Sequence, residues 1–524
     1  MASIPDISRS TSEHDALLPE RQHALSYNQF SPLTLLIPLA VVTRLTSTLP
    51  ATTLLAVIQA AICRLWLTLN GTLPPDGHLS KELCAVPEVD KWRVTVISTL
   101  SILDWLGGIV ACSAISFISS RLGRKPAILG VVAASILEYT LLVCSQYLPA
   151  WLGASTLVAS LFLRMFTGPW AVTFIVNVYA VDISSAEERT PNLSVINGWA
   201  TLGQAISFAI GGLITTKTND PLIVYYISVA ILGMTFIYVS AFLPESFPKE
   251  KRDALRRQQL ARQNVDASAR QSSLNRLISM IAVPFEPLKQ LAPTRRADGR
   301  RNWRVAFCAI HIIIATLADA VAPIALLLLY VTKYGYNPAQ TRTRLMTSNL
   351  STVFTLTWMI PRLIRVLRPI YATQVVPPED QQDSGDETVV STSTDLLDVH
   401  ITIISWVVNA VAFIMAATTS THVLHLIAAT IIGFSSAHSP IFRSLVVSSV
   451  NPLKQGEVLA AIEMISGIGV FLSPVVMGSI LTATGSKLPM LIFYIHAAIV
   501  IAAASLLFLI RDSDRYQKPR RTQD

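Results

Sequence analysis

Ile404-Ser-Trp-Val-Val-Asn-Ala-Val-Ala-Phe-Ile-Met415 is a run of twelve residues broken by only two small polar side chains. A membrane β-strand alternates apolar and polar positions over about ten residues between turns, so a run this long and this uniform reads as part of a helix. Stretches of the same kind recur from residue 32 to residue 510. A bilayer core about 30 Å thick takes about 20 apolar residues per helix. Over 524 residues, 52% are hydrophobic and only 14% charged, with mean hydropathy +0.50, whereas a soluble globular chain carries about 25% charged residues. Lipid must be the solvent for most of this chain.

Hydropathy predicts twelve spans, near 33–55, 94–118, 126–148, 151–178, 194–215, 222–243, 303–331, 346–367, 399–420, 422–448, 456–481 and 488–510. A polar segment at 244–302 divides them into blocks of six. The expected fold is an all-α membrane protein, twelve transmembrane helices in two six-helix halves, 33–243 and 303–510. A polar tail at 1–32, an acidic loop at about 369–398 that reads as disordered, and a tail at 511–524 complete the plan. The first thirty residues are polar and contain Pro5 and Pro19, so no cleavable signal is expected. The pattern Glu13-His-Asp-Ala-Leu17-Leu18 resembles a vacuolar or endosomal sorting signal.

The net charge of +8 would suggest nucleic acid in a soluble protein, but here the position of the cations matters more, since basic residues are retained on the cytoplasmic side. With both ends inside, the 41 Lys and Arg divide into 30 cytoplasmic, nine outside and two within the membrane. Fourteen of the 30 lie between Lys249 and Arg304, which reads as a solvated linker near anionic lipid. No nucleic-acid partner is expected. The expected oligomeric state is a monomer.

Cys63 and Cys84 flank the first outer loop, where a disulfide could form, and Asn70-Gly71-Thr72 is a glycosylation acceptor in the same loop. No P-loop lysine motif, HExxH or GxSxG occurs, so neither ATP drive nor enzyme chemistry is expected, and no cofactor or metal.

An ionisable residue in hydrocarbon costs about 3 kcal/mol or more, so each one must face a cavity or a partner. Six are placed mid-span: Arg44 and Arg164, Asp104 and Glu138, all in the first half, then Asp319 in span seven and Glu463 in span eleven. The two cations and two acids of the first half can cancel by pairing. Asp319 has no cation at similar depth in its own half, which marks it as a proton or substrate candidate. Glu463 is a second candidate. His311, eight residues before Asp319, lies about 12 Å away along the helix, so as a further candidate it could line one cavity with Asp319 but cannot touch it directly. Trp170, Trp199, Trp358 and Trp406 offer faces for a ligand or for packing.

Ser116-Phe-Ile-Ser-Ser120-Arg121-Leu-Gly123-Arg124-Lys125 follows span two. It resembles the loop signature of the major facilitator superfamily, usually written GxxxDRxGRK, with the match at Arg121, Gly123, Arg124 and Lys125. Ser116 and Ser120 stand where the family has Gly and Asp. Arg164-Met-Phe-Thr-Gly168-Pro-Trp-Ala171 is similar to the family's span-four arginine motif. Tyr179-Ala-Val-Asp182 with Arg189 resembles the cytoplasmic end of that region, and Leu243-Pro-Glu-Ser246 the exit from span six. Cys84-Ala-Val-Pro87-Glu-Val89 is similar to the opening found before span two in fungal drug and small-metabolite carriers. Antiporters carry GxxxGPxxGG in span five, and Gly203, Gly211 and Gly212 match it, but Ser207-Phe208 replaces the central Gly-Pro.

The resemblance implies a secondary carrier working by alternating access. It also implies that Arg121, Gly123, Arg124, Lys125, Asp182 and Arg189 belong to a gate between the halves. The expected function is proton-coupled efflux of a drug-like or secondary metabolite at the plasma membrane, or at the vacuolar membrane. Import of a nutrient and a transporter-like receptor are the alternatives. The expected partners are a small-molecule substrate, protons and membrane lipid.

Overall fold

A computed structural model describes residues 31–71, 84, 86–218, 220–257, 283–295, 301–371, 395–485 and 487–510. The sorting pattern, Thr72, most of the acidic loop, the centre of the basic segment and the C-terminal tail lie outside the described residues. Twelve helical stretches are long and apolar enough to cross a membrane. Spans one to six are Pro32–Leu69, Ile102–Leu122, Arg124–Tyr147, Ala150–Ile183, Arg189–Gly211 and Ile223–Phe242. Spans seven to twelve are Arg304–Thr332, Gln340–Tyr371, Asp395–Thr418, His422–Val447, Pro452–Thr484 and Leu491–Leu509.

Several spans are broken, and the breaks follow from the sequence. Proline has no N–H for the i−4 carbonyl, and its ring crowds that carbonyl. Span one divides at Leu49-Pro50 and span four at Gly168-Pro169. In span seven, Pro323 deprives the Asp319 carbonyl of its helical partner, and the first helix ends at that aspartate. Span eight contains a π-helical turn at Thr355–Met359, ahead of Pro361. Span ten tightens to a 3-10 turn at Ser435–Ala437, from which His438 starts the second helix. Interrupted spans leave polar backbone inside the protein, which a bilayer tolerates only where it is covered or lines a cavity.

Small residues set the tightest crossings. A Cβ on Gly203 would lie 2.1 Å from the Val41 carbonyl oxygen, and one on Gly211 would lie 3.3 Å from Leu49 Cδ1. Between them, Ser207 Oγ meets Thr48 Oγ1 at 2.6 Å. The span-five glycines thus seat span one, as small residues do in membrane bundles. Replacing Gly203 with Ala should lower the thermal unfolding midpoint of the purified protein. The helix-propensity gain of about 1 kcal/mol is outweighed by about 1–3 kcal/mol of overpacking against a backbone oxygen that cannot move aside.

The solvated reading of the basic segment needs correction at its described ends. Phe247 and Leu255 are buried against Leu453, and a 3-10 helix at Val283–Leu291 packs on the same face, where Gln290 donates to Glu457 at 2.9 Å. A two-stranded antiparallel pair, Thr294–Arg295 with Arg301–Asn302, leads into span seven. Apolar side chains spaced along a basic segment are enough to dock it.

Candidate transport site

The loop between spans two and three is built around a turn that only glycine enters freely. Gly123 has φ +110°, and a Cβ there would meet the Glu245 carboxylate at 2.4 Å. That carboxylate accepts from the amides of Arg124 at 2.7 Å, Lys125 at 3.2 Å and Phe247 at 3.0 Å. A negative charge therefore caps the N-terminus of span three, where free N–H groups and the helix dipole favour one. The Pro-Glu-Ser exit of span six supplies that cap.

Arg124 is buried. It donates from Nε to Asp182 at 2.7 Å and from Nη1 to Ser119 at 2.7 Å, and its guanidinium lies 4.4 Å from the centre of the Phe247 ring. A Cβ on Gly456 of span eleven would fall 2.8 Å from Arg124 Nη2, so this arginine abuts the opposite half. Lys125 Nζ donates to the Ser240 carbonyl at 2.8 Å. Arg121 is exposed over the Phe117 ring at 4.0 Å. Among the described residues Ser120 bonds only within its helix, to Phe117 O at 2.9 Å. Other side chains join the halves on this face. Thr190 Oγ1 lies 2.8 Å from Asp398 Oδ2 and 2.6 Å from Ser444 Oγ, and Arg368 pairs with Glu187 at 3.5 Å. Arg189, next to Thr190, is buried.

Three of the four first-half charges converge as expected. Arg164 lies 3.2 Å from Asp104 and 3.5 Å from Glu138, whose other oxygen accepts from the Thr167 hydroxyl. Arg44 stands apart, its Nε donating to Gln204 at 3.1 Å.

The second half corrects two expectations. Cations at membrane depth are not confined to the first half, because Arg443 of span ten pairs with Glu463 at 2.5 Å and also donates to Ser439. Asp319 also has a partner. His496 Nε2, from span twelve, lies 3.3 Å from Asp319 Oδ1. The His496 side chain is 0% exposed and that of Asp319 29%, so the carboxylate is the open end of the pair. With the proton on Nε2 the ring donates to Asp319, and the buried Nδ1, which has no partner among the described residues, stays bare. His438 packs against Trp406, ring centres 4.0 Å apart. His311 points elsewhere, its Nδ1 2.8 Å from the Ala503 carbonyl and its ring against Trp406 and Phe442. It does not join Asp319.

A cavity of about 290 Å³, open solvent included, lies among spans one, four and five. Arg44, Ser47, Thr173, Asn177 and Asn197 line it together with apolar side chains such as Val172 and Ile196. Away from it, Cys63 and Cys84 form a disulfide, with Cα atoms 5.5 Å apart. Asn70 is exposed at the end of the span-one helix, its amide donating to Trp66 O at 2.9 Å. Trp170 packs on Trp105, ring centres 5.8 Å apart, and Trp358 on Phe354 at 5.0 Å.

Arg443, His438 and His496 are among the polar residues that hydropathy alone passed over. Arg443 lies four residues from a span end and reads as an interfacial cation. His496 is a lone residue in an apolar run and His438 sits among small serines, with no sequence signal to distinguish either from packing.

The comparisons agree with this architecture. The profile of the Major Facilitator Superfamily matches residues 33–374 and 395–524. The chain is 35% identical over 404 residues to the major facilitator-type transporter psiT1 of Psilocybe cyanescens, covering 74% of this chain and 85% of that one. Among solved structures it is similar to the human organic anion transporter MFSD10 (TETRAN), with TM-score 0.63 at 14% identity over 91% of this chain and all of the other. It is also similar to the E. coli fucose:proton symporter FucP, with TM-score 0.57 at 14% identity over 91% and 98% of the two chains. At those identities the structural likeness speaks for the fold. The twelve spans, the Arg124 loop and the profile match over both halves make this chain a multi-pass membrane protein that belongs to the major facilitator superfamily of secondary transporters.

Proposed function

We propose that the chain exports a small drug-like or secondary metabolite from the cell in exchange for protons, by alternating access at the plasma membrane. The observation that carries the reading is the Asp319–His496 pair at the break of span seven. A carboxyl beside an imidazole, with the carboxylate open and the ring enclosed, gives a proton two neighbouring sites inside the membrane. In this reading the basic-face contacts at Arg124, Thr190 and Arg368 hold one side shut while the other admits solute. In this reading the carrier works as a monomer.

Import is the second reading, and Ser207-Phe208 in place of Gly-Pro in span five favours it, since the flanking glycines serve packing on span one. Comparing the medium of cells with and without the protein separates the two. Export predicts a metabolite that accumulates outside expressing cells and ceases to do so when a protonophore collapses the gradient. Depletion of a solute from the medium would replace export with import, and accumulation indifferent to the protonophore would remove the proton.

A further inference from the structure

The first-half cavity presents hydrogen-bond donors and no acid. No Asp or Glu lines it, and among the described residues no carboxylate lies within 4.0 Å of Arg44. Arg44 Nε is occupied by Gln204 at 3.1 Å, which leaves its two terminal nitrogens for the cavity. A guanidinium taken from water without a counter-ion is costly, so this one is incomplete as it stands.

Asn177 is the second donor. It is 1% exposed, and its Nδ2 has no hydrogen-bond partner among the described residues. Its orientation is fixed by its neighbour. Asn197 Nδ2 donates both to Leu193 O at 2.8 Å and to Asn177 Oδ1 at 3.0 Å. Turning the Asn177 amide over would set one NH2 against another, so the unpaired NH2 must point away from Asn197. The nearby hydroxyls do not compete as donors, because Thr173 donates to Pro169 O at 2.7 Å and Ser47 to Arg44 O at 3.1 Å.

We infer that this cavity binds the anionic end of an organic molecule, a carboxylate or a phosphate, with Arg44 and Asn177 as the donors that recognise it. A planar guanidinium with two free nitrogens matches the paired oxygens of either group. The remaining wall is apolar, with Val172, Val176 and Ile196 suited to a hydrocarbon body. The inference rests on the reading of the chain as a carrier of small organic molecules and narrows it to organic anions, whatever the coupling.

The test is equilibrium binding to the purified full-length protein with no pH gradient, read as the thermal unfolding midpoint. The probes are benzoate, phenyl phosphate and the neutral benzamide. Benzoate, phenyl phosphate or both should raise the midpoint and benzamide should not, and the more effective anion identifies the preferred head group. Arg44→Gln should weaken anion binding about tenfold or more, Arg44→Lys should keep the preference for anions, and Asn177→Asp should weaken binding by placing a like charge at the site. If Arg44→Gln does not fold, the wild-type preference and Asn177→Asp decide the matter together. Equal stabilisation by benzamide, no shift with either anion, or binding unchanged in the variants that fold would overturn the assignment. Export indifferent to a protonophore, with anion binding retained, would sink the coupling proposal and leave this site standing.

Discussion

Arg304→Met is expected to cost about 3–5 kcal/mol of stability, enough to remove most folded protein from a membrane preparation. Arg304 opens span seven with its side chain 0% exposed. Its Nη2 lies 2.8 Å from Asp395 at the start of span nine and 2.9 Å from Ser448 Oγ at the end of span ten. Asp395 and Asp398 are both buried within one helical turn of each other, and Arg304 is the cation beside them. Methionine fills about the same volume but takes from Asp395 a buried ion-pair partner, the guanidinium at 2.8 Å. Removing one partner of a buried pair is far more damaging than removing both. The double variant Arg304→Met with Asp395→Leu should therefore recover most of the lost stability. Yield of monodisperse protein and the thermal midpoint report both effects. A single variant as stable as the unsubstituted protein, or a double variant worse than the single, would refute this account of the network.

The same residue shows where sequence reading runs out. Arg304 ends a stretch of fourteen cations and reads as part of a solvated linker although span seven is predicted from 303, because hydropathy places the edge of a span and not the partners of a side chain there. The spans themselves were legible, since a bilayer imposes a length and an apolar composition that leave few alternatives. The convergence of Arg164, Asp104 and Glu138 was legible from charge cancellation, which gives partners without geometry. Arg44 was not legible as the odd one out, because depth along a helix says nothing about which face a side chain takes. Nor was the pairing of Asp319 with His496, 177 residues away in sequence, which depends on how spans seven and twelve pack. Ser120 was legible in the opposite sense. Its mismatch with the family signature was plain in the sequence, and among the described residues its hydroxyl bonds within its own helix.

Asp319→Asn should abolish proton-driven flux while leaving solute exchange intact, and the split follows from what the substitution preserves. Asparagine has nearly the same shape, and its oxygen can still accept from His496 Nε2, so the junction of spans seven and twelve should survive. It cannot take up or release a proton. If the carboxyl is the coupling group, proteoliposomes containing the variant should show no flux driven by a pH gradient above the protein-free background. Solute-for-solute exchange, which needs reorientation of the loaded protein but no protonation change, should continue. Glu463→Gln provides the contrast. Glu463 lies 2.5 Å from Arg443 with both side chains largely buried, so neutralising it strands a cation and should lower folded yield, and with it exchange and coupled flux together. Position in the bundle explains the difference, because Asp319 is partly exposed at a helix break while Glu463 is enclosed with its counter-ion. Asp319→Asn with full gradient-driven flux would remove Asp319 from the coupling step. Glu463→Gln with normal yield but only exchange remaining would transfer that role to span eleven.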